Sequence, residues 1–168
     1  MVAHRERPTH DATKRLHMTT LTQDRIEKHI HLRATRGRVW RALTDAKEFG
    51  EWFKVRLDGD FVEGAAVHGQ ITHAGYEHLR LELLVEKIEP ETYFSYRWHP
   101  FAIDTKTDYS SEPMTLVEFR LEESKGGTTL TIVESGFDRI PEHRRDKAFR
   151  MNAEGWSAQL LNIERHVA

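Results

Sequence analysis

From Pro141 to the end of the chain, Ala148, Phe149, Asn152, Trp156, Leu160 and Ile163 recur at spacings of one, three and four residues. That spacing draws one continuous, mostly apolar stripe down a long helix. A stripe of this length needs an extended partner surface. The sequence supplies one upstream, in runs that alternate with period two.

The first run is "IEKHIHLR", with Ile26, Ile30 and Leu32 on one side and Glu27, His29, His31 and Arg33 on the other. Thr35 is a plausible N-cap for a helix carrying Val39, Trp40 and Leu43. The stretch "TDAKEFGEWF" reads as a second short helix with Phe49, Trp52 and Phe53 on its apolar side, weakened by Gly50. Five strand-like runs follow. They are centred on Val67 and Ile71, on Leu79 to Val85, on Tyr93 to His99, on Val117 to Leu121, and on Leu130 and Ile132. "SKGG" is a hairpin turn between the last two. The segment "FAIDTKTDYSSEP" is long for a loop in a compact domain, a length common in loops that form the mouth or lid of a site. Strands clustered between helices favour an α+β fold, with a six-stranded antiparallel sheet curved around the C-terminal helix.

Residues 1–24 have almost no apolar content and read as a disordered leader, within which Met18 is a second candidate start. Residues 25–168 are expected to form one domain. The 25 basic and 27 acidic side chains nearly cancel, which gives no case for a nucleic-acid partner. There is no cysteine, so disulfides, thiol catalysis and cysteine zinc sites are excluded; the composition fits a reducing cytoplasm. No apolar run is long enough for membrane insertion. The eleven histidines lack metal-ligand spacing, and no nucleotide or nucleophile motif is present, so neither metal nor cofactor is expected.

Four strings, in order, carry a family resemblance: "VWRALTDAKEFGEWF", "VEKIEPETYFSYRW", "GGTTLTIVESGF" and "GWSAQLLNI". Together they resemble the helix-grip fold of the START-like (SRPBCC) superfamily. Within it they resemble the family of the activator of the 90-kDa heat-shock protein ATPase, over about residues 26–166. The resemblance implies a deep cavity between sheet and C-terminal helix. In the superfamily such cavities hold lipids, sterols, polyketides or phenolics, and some serve as reaction vessels.

The candidates for that cavity are Trp52, Phe53, His73, Tyr96, Trp98, Phe119, Glu134, Asn152, Trp156 and Leu160. Trp52 and Phe53 fit plain packing or cavity lining equally. On "YFSYRWHP", Phe94, Tyr96 and Trp98 form the bulkier face and are taken as inward, leaving Tyr93, Arg97 and His99 outward. His73, Glu134 and Asn152 are polar residues on apolar faces, and each must find a partner or face a ligand. Gly155 sits beside Trp156 within a helix, which suits a close backbone approach to the sheet or to a ligand. "EHRRDK" at 142–147 reads as a solvated charge run.

Three functions follow as expectations. The first is binding of a small hydrophobic or aromatic molecule without catalysis. The second is a cyclase- or hydrolase-type enzyme using His73, Glu134 or Tyr96. The third is an interaction module with a chaperone partner. A monomer and a dimer are equally open.

Overall fold

The structure is a computed structural model that describes residues 24–168. The leader and Met18 lie outside the described residues, except for Asp24. Its carboxylate accepts a hydrogen bond from the Asp138 backbone N–H at 2.9 Å.

Alternation from Arg25 gives strand β1 (Arg25–Leu32). The Thr35 hydroxyl accepts from the Arg38 N–H at 3.2 Å and caps helix α1 (Arg36–Thr44). Asp45 caps helix α2 (Ala46–Phe53) in the same way, through the Glu48 N–H. The strands that follow are β2 (Val55–Leu57), β3 (Ala66–Ile71), β4 (Arg80–Glu89), β5 (Tyr93–Trp98), β6 (Thr115–Ser124) and β7 (Gly127–Ser135). A short 3₁₀ turn (Phe137–Arg139) leads into helix α3 (Glu142–Val167).

The strands form one antiparallel sheet in the order β1-β7-β6-β5-β4-β3-β2. It has seven strands rather than the expected six. The extra strand is β2, three residues long, which pairs Val55 with Ile71 and Leu57 with Gly69. Three residues are too few to show a period of two. Gly50 has its explanation here: a Cβ at Gly50 would stand 2.2 Å from the Val55 carbonyl oxygen, so only glycine lets α2 lie this close to β2.

One row of paired residues crosses the sheet from β1 to β4: Ile26, Glu134, Val117, Tyr96 and Val85. All five are buried, and Glu134 is the one acid among them. The stripe of α3 packs over this face through Ala148, Trp156, Leu160 and Ile163, all buried. On the other flank Phe49 lies against Trp52, Phe53, Phe61 and Tyr96, with ring centroids 4.9 to 6.3 Å apart. The Trp52 indole donates to the Ala42 carbonyl at 2.7 Å and ties α2 to α1. The aromatic density of the α1–α2 stretch is thus chiefly core.

Candidate functional site

Strand parity sends Glu134 inward beside Leu130 and Ile132, where its side chain is fully buried. An isolated carboxylate there would be very costly, so it must be compensated. Compensation comes from donors on three elements. Its Oε2 accepts from Thr115 Oγ1 of β6 at 2.6 Å and from the Trp98 indole of β5 at 2.8 Å. Its Oε1 accepts from the Trp156 indole of α3 at 2.8 Å. The Asn152 amide donates to both oxygens, at 2.9 and 3.1 Å. No cationic side chain among the described residues takes part. Burial pushes the carboxyl above its usual range, and the hydrogen bonds from Thr115, the two indoles and Asn152 pull it back. The two indoles and the Asn152 amide can only donate, which suits the carboxylate, while the Thr115 hydroxyl can donate to it or accept from the acid form.

This cage closes most of the expected cavity. Tyr96 packs on Trp98 and Phe119, and Trp156 packs on Phe53, Trp98 and Phe119, with centroids 5.4 to 6.1 Å apart. The deep chamber between sheet and helix is filled by side chains. Within the packing, the Tyr96 hydroxyl is buried with no hydrogen-bond partner, and burial raises its ionisation well above that of a free phenol.

Beside the cage lies a hollow of about 290 Å³. Leu79 and Leu81 line it from the β4 side, Phe101 and Ile103 from the segment after β5, and Trp98 and Asn152 from the cage itself. His99 also lines it, with a buried Nδ1 that has no partner; burial lowers the imidazole's pKa and keeps the ring neutral. Sequence parity had His99 facing outward. It fails because β5 ends at Trp98 and the chain turns at Pro100.

The rim of the hollow is the long loop, and α3 clasps it. Arg144 pairs with Glu112 at 2.7 Å, donates to the Pro100 carbonyl at 2.7 Å, and lies over the Tyr109 ring at 4.8 Å. Only 12% of its side chain is exposed, so this member of the "EHRRDK" run is a clasp rather than a solvated charge. Phe101, just past the clasp, holds a left-handed backbone with φ of 50°, a strained conformation for an aromatic residue.

The candidates thus separate. Trp98 and Asn152 line the hollow, and Phe53 and Trp156 line a smaller one nearby. Glu134 stands behind both. Trp52, Tyr96, Phe119 and Leu160 are core. His73 is exposed in the β3–β4 turn, with its ring beside Tyr76 at 5.5 Å. Its alternation with Ile71 was misleading because β3 ends there. Of the three groups offered for catalysis, His73 lies on the surface, while Tyr96 and Glu134 share the buried row of the sheet. Thr115 and Glu112 escaped the sequence reading, and His99 and Arg144 were read as outward and solvated. Only the parity of Thr115 with Val117 pointed inward.

The curved antiparallel sheet, the paired short helices and the long C-terminal helix define a helix-grip protein. The family model described as activator of Hsp90 ATPase homolog 1-like protein matches residues 33–168, and the chain belongs to that family. Among solved structures it is similar to protein MLL2253 from Mesorhizobium loti, at 25% identity and a TM-score of 0.66, covering 84% of this chain and 95% of that one. It is similar also to the Aha1 dimer from Colwellia psychrerythraea, at 18% identity and a TM-score of 0.64, over 85% of this chain and 95% of that one. CalU16 from Micromonospora echinospora shares 21% identity with a TM-score of 0.57, over 86% and 74% of the two chains. No match was found among the curated proteins. No helix among the described residues is long and apolar enough to cross a membrane.

Proposed function

We propose that the protein binds a small, mostly apolar molecule in the hollow bounded by β4, the end of β5, the clasped loop and α3. The observation that carries this reading is the hollow itself, about 290 Å³ and largely apolar, with a floor of Trp98 and Asn152 fixed from behind by buried Glu134. That volume is at the lower edge of the roughly 300–1,000 Å³ common for small-molecule sites. A single or fused aromatic ring suits it. Arg80, Glu82 and Tyr109 also line the hollow, and two further polar groups belong to its inner end. Asn152 spends its amide hydrogens on Glu134, and no donor among the described residues reaches its carbonyl oxygen, which leaves an acceptor. The neutral His99 ring offers a second polar contact.

The test uses the naphthalene dye prodan, whose emission shifts in apolar surroundings. The wild-type protein should bind it saturably at one site. Ala102→Trp, placed on the rim to fill the hollow, should weaken binding about tenfold or more. Absence of saturable binding, or an unchanged affinity in Ala102→Trp, overturns the reading. Native mass spectrometry of the freshly purified protein, compared with its denatured mass, would then weigh any natural ligand carried along.

A further inference from the structure

A second, smaller hollow of about 90 Å³ opens on the α3 side of the cage. Phe53, Trp98, Trp156, Met151 and Asn152 line it, and Gly155 forms part of its rim. No charged side chain is among its lining residues. The three rings stand against one another with centroids 5.7 to 6.1 Å apart, making an aromatic platform.

Two further features decide what this platform can take: one gives it a sign and the other opens it. Behind it sits Glu134, a buried carboxylate whose donors are two indoles, an amide and a hydroxyl, all neutral. Its charge is hydrogen-bonded but not cancelled, and the low-polarity surroundings screen it weakly. Both indoles donate their N–H to it, which leaves their ring faces richer in electrons. Aromatic faces attract cations by their quadrupole, tryptophan most strongly.

Gly155 is the second feature. Glycine inside a helix is unfavourable relative to alanine. A Cβ built there meets nothing within 4 Å, so neither the sheet nor a neighbouring backbone demands glycine, and the close approach expected from the sequence is absent. What the missing side chain does is leave the small hollow uncovered.

We propose that this hollow takes the head of a small organic cation, a methylated ammonium group, resting on Trp98, Trp156 and Phe53 and drawn by the charge of Glu134. A group with methyls and a diffuse positive charge matches both the apolar lining and the sign of the field. A bare inorganic cation would lose its hydration for no more than the amide oxygens of Asn152 and Gln159, far fewer than the six or more such an ion takes. The site goes beyond the binding reading above and does not depend on occupancy of the larger hollow.

Choline and its uncharged isostere 3,3-dimethylbutan-1-ol have nearly the same shape and differ in charge. Calorimetric titration should show choline binding about tenfold or more tightly than the alcohol. In ¹H–¹⁵N spectra the indole signals of Trp98 and Trp156 should move on adding choline, while that of Trp40 stays. Gly155→Leu should lose choline binding, keep its dispersed spectrum, and still bind prodan. Equal binding of choline and the alcohol, no binding of choline, or unchanged choline affinity in Gly155→Leu overturns the proposal. Loss of prodan binding with choline selectivity intact would sink only the apolar-ligand reading.

Discussion

At the scale of single residues, Tyr96 and Glu134 show opposite answers to the burial of a polar group. Glu134 is buried with its acceptors satisfied by Thr115, Trp98, Asn152 and Trp156. Tyr96 is buried in the same row of the sheet with its hydroxyl unpaired. An unsatisfied buried hydroxyl costs about 1–3 kcal/mol. Tyr96→Phe removes that cost and leaves the ring packed against Phe94, Trp98 and Phe119. We expect the variant to be more stable by about 1 kcal/mol, read from urea denaturation midpoints. A loss of similar size would mean that an internal water holds the hydroxyl. The sequence told that Glu134 and Asn152 needed partners. It did not tell that they were each other's, because 18 residues separate them and only the packing of α3 on β7 brings them to 2.9 Å.

Among the elements, α3 does most to make the site. It supplies Asn152 and Trp156 to the cage and Arg144 to the loop, from one continuous helix. Arg144→Ala leaves Glu112, whose side chain is 13% exposed, without its partner, and frees the Pro100 carbonyl. Breaking a largely buried pair in this way costs about 3 kcal/mol. We expect that loss in global stability, and faster amide hydrogen exchange across residues 101–113 than in β5 or β6, followed by mass spectrometry. A loop exchanging as in the wild type would show that Arg144 does not hold it. Element identity was largely readable. Thr35 as N-cap, the turn after Ser124 and the start of α3 after Pro141 all follow from local chemistry and stand in the structure. Strand β2 and the inward turn of Arg144 were not readable. The first is too short to show a period, and the second depends on an acid 32 residues away.

For the whole molecule, the buried cage links folding to pH. Burial raises the Glu134 carboxyl above its unfolded value of about 4.5. Between that value and the raised one, the folded protein holds more protons than the unfolded chain. Stability from this group therefore falls as pH rises from about 4.5 through the folded value, and levels off above it. Glu134→Gln lacks this titration. The stability of the wild type relative to Glu134→Gln should thus be greatest in acid and decline as pH rises, measured by denaturation over a pH series. A difference that grows with pH would mean that the four donors outweigh burial and hold the carboxyl below its usual range. The division between what the chain stated and what it withheld runs along sequence distance. Period, capping and turn chemistry act over a few residues, so the sequence alone determined the helix-grip order, most inward faces within the strands and the family, but not the facing of His73 and His99 at strand ends. The cage around Glu134, the filling of the deep chamber and the two hollows left beside it arise where β5, β6, β7, α2 and α3 meet. Those contacts join residues far apart in the chain, and close packing leaves the remaining space wherever their side chains fail to meet, so only the tertiary structure decided them.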